Sequence, residues 1–241
     1  MAILLEIAAF NLDSALLAER SGAMRIELCD NAADGGTTPG PGTLKVAREK
    51  IGIPVFPIIR PRGGHFVYST SECDSMKYDI ELCQNLGFPG VVFGALTPQG
   101  EVNLPAMQQL MKLCEGMEVT FHRAFDRTVH AEEAIEAIIS LGCRRILTSG
   151  RVPTADEGMQ AIAEWNFTYG SKILFMPGSG VNHTNIISIL NTTGCHEIHT
   201  AARVLNSNGT YYNQPGMHET PSYTDVSMNE ISMLRESIRN L

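Results

Sequence analysis

Residues 141–150 read Leu-Gly-Cys-Arg-Arg-Ile-Leu-Thr-Ser-Gly. Three local signals meet there. Before it, Glu132 to Leu141 repeats Ala, Ile and Leu against Glu, as one face of an amphipathic helix does. Gly142 suits the left-handed residue that ends a helix before the chain turns. After it, RRILTSG (144–150) is a short apolar run closed by small residues, as a buried strand would be. The same joint recurs at Ser21-Gly22-Ala23, Leu86-Gly87-Phe88 and Thr193-Gly194-Cys195. Four copies of one helix–Gly–strand joint predict strict β/α alternation.

Outward from this joint, seven more runs of the same kind appear: ILLEIAA (3–9), MRIELC (24–29), PVFPIIR (54–60), GVVFGA (90–95), EVTFHRA (118–124), KILFMPG (172–178) and HEIHTA (196–201). Between them lie helical stretches, such as Asp13 to Ser21 and the Met107, Leu110, Met111, Cys114 stripe. Thr154-x-x-Glu157 and Ser227-x-x-Glu230 have capping-box spacing, and Asn182 can cap a helix running to Leu190. Eight β/α units close into a barrel more readily than they form an open sheet. The expected fold is α/β, a single (β/α)8 TIM-type barrel over residues 1–241, and the length suits the ~250 residues typical of that barrel. A doubly wound open sheet is the alternative with the same alternation.

The bulk properties narrow the function. The net charge of −8 and the absence of Lys/Arg clusters argue against nucleic acid and anionic membrane as partners. No apolar stretch approaches the ~20 residues of a membrane span, and MAILLEIAAF begins like a core strand rather than a signal peptide. Six cysteines without a C-x-x-C pair read as reduced thiols of a cytoplasmic protein. A homodimer is plausible only as the commonest soluble assembly.

Barrel enzymes keep their chemistry at the carboxyl ends of the strands. The strand ends carry Glu6, Glu27, Cys29, Arg60, His122, Arg123, Ser149, Met176 and His199. Glu6, Glu27, Arg60, His122 and His199 are the expected catalytic set, a His beside carboxylates being suited to proton transfer near neutral pH. A satisfied polar layer that merely plugs the barrel is the competing reading. Arg60 and Arg62 in Arg-Pro-Arg-Gly-Gly, with Arg123, Ser149 and the Gly178-Ser179-Gly180 turn, are the expected anion-binding residues. Asp126 is expected to orient His122 or Arg123, or only to cap the next helix. The long segment 202–225 reads as a flap or a plain surface loop.

Arg25-Ile26-Glu27-Leu28-Cys29, Gly35-Gly36-Thr37-Thr38-Pro39, Arg60-Pro61-Arg62-Gly63-Gly64, Phe121-His122-Arg123-Ala124-Phe125-Asp126, Leu147-Thr148-Ser149-Gly150 and Gly178-Ser179-Gly180-Val181 together resemble the CutC family, named for copper homeostasis. The resemblance covers essentially the whole chain. It implies a cytoplasmic TIM-type barrel assigned to copper handling, with Cys29 as the residue to watch. His65, Thr200 and the loop 211–219 depart from the family pattern. Cu(I) favours two or three soft donors together. Cys29 is the one cysteine on the expected site face, so a Cu(I) site there needs Met176, His122 or His199 beside it. The rival expectation is a lyase or isomerase acting on a small phosphorylated or carboxylated metabolite. No lysine stands at a strand end, which argues against Schiff-base chemistry. A non-catalytic scaffold would need an exposed apolar patch.

Overall fold

The computed structural model describes residues 3–206, 212, 214, 216, 218 and 222–239. Its barrel strands are β1 (Leu4–Ala9), β2 (Arg25–Leu28), β3 (Val55–Pro57), β4 (Gly90–Phe93), β5 (Glu118–Phe121), β6 (Arg145–Thr148), β7 (Leu174–Pro177) and β8 (Glu197–Thr200). Between and after them run α1 (Leu12–Arg20), α2 (Pro41–Lys50), α3 (Thr70–Leu86), α4 (Leu104–Met111), α5 (Ala131–Ser140), α6 (Ala155–Tyr169), α7 (Ile186–Thr193) and α8 (Met228–Arg239). Two parallel arcs, β3-β2-β1-β8 and β4-β5-β6-β7, make up the wall. A bridge between Ile58 and Val92 joins β3 to β4, and β7 packs beside β8. The closed (β/α)8 barrel, not the open sheet, is the fold.

The joints behave as the sequence predicts. Gly22, Gly87, Gly142 and Gly194 all have positive φ (103°, 76°, 82° and 64°), the region that L side chains avoid. Thr154 caps α6 by accepting from the Glu157 N–H. Ser227 accepts from the Glu230 N–H, but the Glu230 carboxylate turns away to His183. Asn182 is not the cap of α7: Asn185 holds that position, and the Asn182 side chain accepts from the Thr184 N–H one turn earlier. The glycine-rich turn after β7 therefore does not open directly into a helix.

Two side-chain populations follow from the strand period of two. Outward residues such as Leu5, Ile7, Ile26, Phe93 and Ile146 pack beneath the helices in the main apolar core. The inward set is unusually polar at the amino-terminal end. Arg25 Nε bonds Glu6, and Arg25 Nη2 donates to Glu197 at 2.5 Å. Arg145 donates to Glu197 at 2.8 Å and bonds Glu118. Both guanidinium groups lie over the Phe56 ring, at 5.0 and 5.2 Å. A Cβ at Gly90 would fall 2.5 Å from that ring, so Gly90 keeps its space open. The expected plug of paired charges exists, but Arg25, Arg145 and Glu197 build it with Glu6, one layer below the mouth.

After β8 the chain forms an antiparallel ribbon of β9 (Arg203–Asn206) and β10 (Tyr223–Val226). The ribbon stem packs on α1: Ser14 donates to Asp225 at 2.8 Å, and Asn11 to the Thr224 carbonyl at 2.9 Å. Residues 207–211 and most of 213–221, including most of the loop 211–219, lie outside the described residues.

Candidate functional site

A cavity of about 730 Å³ opens at the carboxyl ends of the strands. Its wall includes Glu27, Arg60, His122, Arg123, Ser179, Gly180, His199 and Arg203, with Phe10, Ile58 and Phe66 as apolar surface. Groups from β2, from the segment just after β5 and from β8 thus line one mouth.

The centre is a carboxylate–imidazole–carboxylate stack. His199 stands in register with Glu6 on the neighbouring strand. His199 Nδ1 is 2.7 Å from Glu6 Oε1, and Nε2 is 3.8 Å from Glu27 Oε2. Burial alone would raise the Glu6 acid; the Arg25 charge and the His199 contact outweigh it and hold Glu6 down at about 2. Glu6 is therefore ionised, and the Nδ1 proton of His199 is fixed towards it. Burial alone would lower His199; the Glu6 hydrogen bond and the charges of Glu27 and Glu6 outweigh it and raise its pKa. Glu27 is pushed up to about 7, first by burial, against the opposing charge of His199. A carboxyl that titrates near neutrality beside an imidazole is the environment that proton-transfer chemistry requires.

Glu6 itself does not line the cavity and is completely buried. Its role is to position and charge His199. Gly178 is likewise set back: a Cβ there would fall 2.5 Å from Leu147 Cδ1 and 3.2 Å from His199 Cβ, so its lack of a side chain leaves His199 its place.

The expected anion-binding residues divide. Arg60 lines the cavity, but its Nη1 donates to the Asp34 and Gly36 carbonyls at 2.7 Å and its Nη2 to the Gly64 carbonyl. It fastens the loops after β2 and β3 rather than standing free. Arg62 is outside the cavity wall; it pairs with Glu72 at 2.5 Å and donates to the Val67 carbonyl at 2.9 Å. Ser149 is also outside the wall and fully buried. Its N–H and hydroxyl meet the Asp126 carboxylate, and the hydroxyl accepts from Arg123. Asp126 orients Arg123, at 2.7 Å, not His122. Ser179 and Gly180 do border the cavity, in a turn where both have positive φ. Arg203, which the sequence reading passed over, is exposed at the rim with its guanidinium 4.5 Å from the Phe10 ring centroid. Its only sequence signal is position: an arginine just past the last barrel strand.

The Cys29 thiol is buried, and burial together with the Glu27 and Glu6 charges pushes its pKa well above the ordinary value. Met176 points to the lower layer, its sulfur accepting from Arg25 at 3.2 Å. Among the described residues no three His, Cys, Asp or Glu side chains are grouped as a metal site. None of the six cysteines is bridged, and no described helix is long and apolar enough to cross a membrane.

The sequence profile of the CutC family matches residues 3–204. A CutC family protein of Chromobacterium violaceum is 41% identical over 241 residues, spanning 98% of both chains. One from Bacteroides thetaiotaomicron is 45% identical, spanning 87% of this chain and 85% of its own. Among solved structures, the Streptococcus agalactiae protein provisionally named copper homeostasis protein CutC superposes with a TM-score of 0.78 at 35% identity, covering 83% of this chain and 98% of that one. Phosphoribosylanthranilate isomerase of Thermotoga maritima shares the fold alone, with a TM-score of 0.62 at 13% identity over 99% of this chain and all of that one.

Proposed function

The chain belongs to the CutC family, and from that premise we propose that it is a cytoplasmic enzyme, a lyase or isomerase that moves a proton on a small anionic metabolite. One observation carries this reading: Glu27, with its pKa near 7, faces His199 across 3.8 Å in the wall of a single cavity. Glu27 is the proton acceptor. His199, held by Glu6, is the partner that donates or returns a proton. Arg203 and the Ser179-Gly180 turn receive the anionic group, phosphate or carboxylate. The copper connection belongs to the name of the Streptococcus relative; the donors around Cys29 here are hard, buried or committed elsewhere, and no step is assigned to the metal.

Thermal unfolding across a library of phosphorylated and carboxylated metabolites tests the reading, because a ligand that binds only the folded state raises its stability. At least one compound should raise the melting temperature of wild type, and much less that of Arg203→Ala. A library with no stabilising member, or stabilisation unchanged by Arg203→Ala, contradicts it.

A further inference from the structure

Arg60, Arg123 and Arg203 border the cavity, in a chain whose net charge is −8. The carboxylates in the same wall are Glu27 and Glu230. Both Glu230 oxygens are taken, one by the His183 N–H and one by His183 Nδ1, each at 2.7 Å. The mouth therefore holds more positive charge than its own carboxylates answer, and such a cleft draws anions.

The three arginines are not equivalent. Arg60 is buried and commits Nη1 and Nη2 to backbone carbonyls. Arg203 is exposed, over the Phe10 ring. Arg123 is held by two of its three nitrogens. Its Nε donates to Asp126 and its Nη2 to the Ser149 hydroxyl, both at 2.7 Å. Nη1 has no hydrogen-bond partner among the described residues, and the side chain is 41% exposed where it lines the cavity.

The base beneath Arg123 is fixed independently of it. Asp126 also accepts from the Thr148 hydroxyl at 2.5 Å, the Ser149 N–H at 3.1 Å and the Arg151 N–H at 3.2 Å. Its side chain is largely buried, so β6 and the turn after it set its place. A planar guanidinium anchored at two nitrogens and open at the third is preorganised, and loses little side-chain freedom when it takes an anion. Arg123 follows β5 and is tied to the turn after β6, whereas Arg203 follows β8 and lies against Phe10, just past β1. The Ser179-Gly180 turn after β7 comes between them in wall order. Each arginine is fastened at its own corner of the mouth.

We propose, resting on the reading above that the site takes an anionic metabolite, that Arg123 is a second anion anchor and that the substrate carries two anionic groups. Arg203 and the Ser179-Gly180 turn take one group, and Arg123 Nη1 takes the other. A cavity of about 730 Å³ has room for such a metabolite. A compound with one anionic group satisfies one corner alone.

Calorimetric titration with matched pairs tests this. The pairs are glycerol 3-phosphate and 3-phosphoglycerate, fructose 6-phosphate and fructose 1,6-bisphosphate, and butyrate and glutarate. They separate a mixed phosphate–carboxylate, a bisphosphate and a dicarboxylate. In at least one pair the doubly anionic member should bind wild type about 10-fold or more tightly than its partner, the worth of one charge-assisted hydrogen bond. Arg123→Gln should abolish that margin and leave the singly anionic partner's affinity unchanged; Arg203→Ala should weaken both members. Asp126 keeps its Thr148, Ser149 and Arg151 donors in Arg123→Gln, so the variant should fold. A second measurement needs no variant: phenylglyoxal modification of wild-type Arg123, read by peptide mass spectrometry, should be slowed by the tight doubly anionic compound and not by its partner. Equal affinities within every pair, a margin that survives Arg123→Gln, or unslowed modification of Arg123 overturns the second anchor and leaves the single-anion reading standing. No binding by any of the six compounds contradicts that reading, and the second anchor falls with it.

Discussion

Glu6 and His199, partners in register on β1 and β8, meet at 2.7 Å in the barrel interior, and each sets the charge of the other. Glu6→Gln removes the hydrogen bond and charge that raise His199, so the His199 pKa should fall. NMR titration of the ring reads this directly. The sign for stability follows: a raised His pKa stabilises the fold below the unfolded value of about 6.5, and the contribution is lost as pH rises through the folded value. The His199 part of the loss should therefore fall on the acid side of that window. Glu6, depressed to about 2, adds stability above its ordinary 4.5 that disappears between 4.5 and 2, and the variant lacks this component too. An unmoved His199 titration contradicts the coupling.

Glu27 has the opposite sign. Its folded pKa, near 7, lies above the ordinary 4.5. Between those values the folded state binds a proton that the unfolded chain has released, so stability from this group declines as pH rises from 4.5 to 7. Glu27→Gln should flatten that decline. Urea midpoints at half-unit pH steps check it; a variant whose profile parallels wild type would show that Glu27 is not perturbed.

Arg25 links Glu6 and Glu197 beneath the site. Arg25→Met leaves buried carboxylates short of a cation and should cost about 3–5 kcal/mol in denaturant unfolding. Arg62→Ala, at a pair that is about a third exposed, should cost no more than about 1 kcal/mol. Equal losses would contradict the layer-by-layer account of the interior.

Gly158 sits inside α6, where alanine ordinarily stabilises a helix by about 1 kcal/mol. Here a Cβ would fall 2.0 Å from the Ser149 carbonyl oxygen. Gly158→Ala should therefore destabilise, with the melting temperature lowered by several degrees. A stabilised variant would mean that the turn after β6 is not pressed against α6 as described.

Cu(I) competition against a chelator should give the same affinity for wild type and Cys29→Ala. Tight binding lost with Cys29 would restore the copper seat that the high thiol pKa and the Arg25-bound Met176 argue against.

The joints around Gly22, Gly87, Gly142 and Gly194 were readable because a positive φ leaves a residue-type signature wherever a helix ends. The convergence of Glu27, His122 and His199 was readable because strand alternation and barrel closure decide which side chains point inward. Arg62 and Ser149 were misplaced for a different reason. Which way a loop arginine or serine turns is settled by partners such as Glu72 and Asp126, whose proximity is a product of folding rather than of spacing. Arg25 and Arg145 were not singled out in the sequence, because only the closed barrel puts both across the Phe56 ring.

The central claim is that the Glu27 carboxyl changes protonation state near neutrality. Carbon-13 NMR of side-chain-carboxyl-labelled glutamate, with Glu27→Gln to assign the signal, measures it without any ligand. The account predicts a titration near pH 7 that moves when His199 is replaced by Gln. A Glu27 signal titrating near 4.5, indifferent to His199, would contradict it.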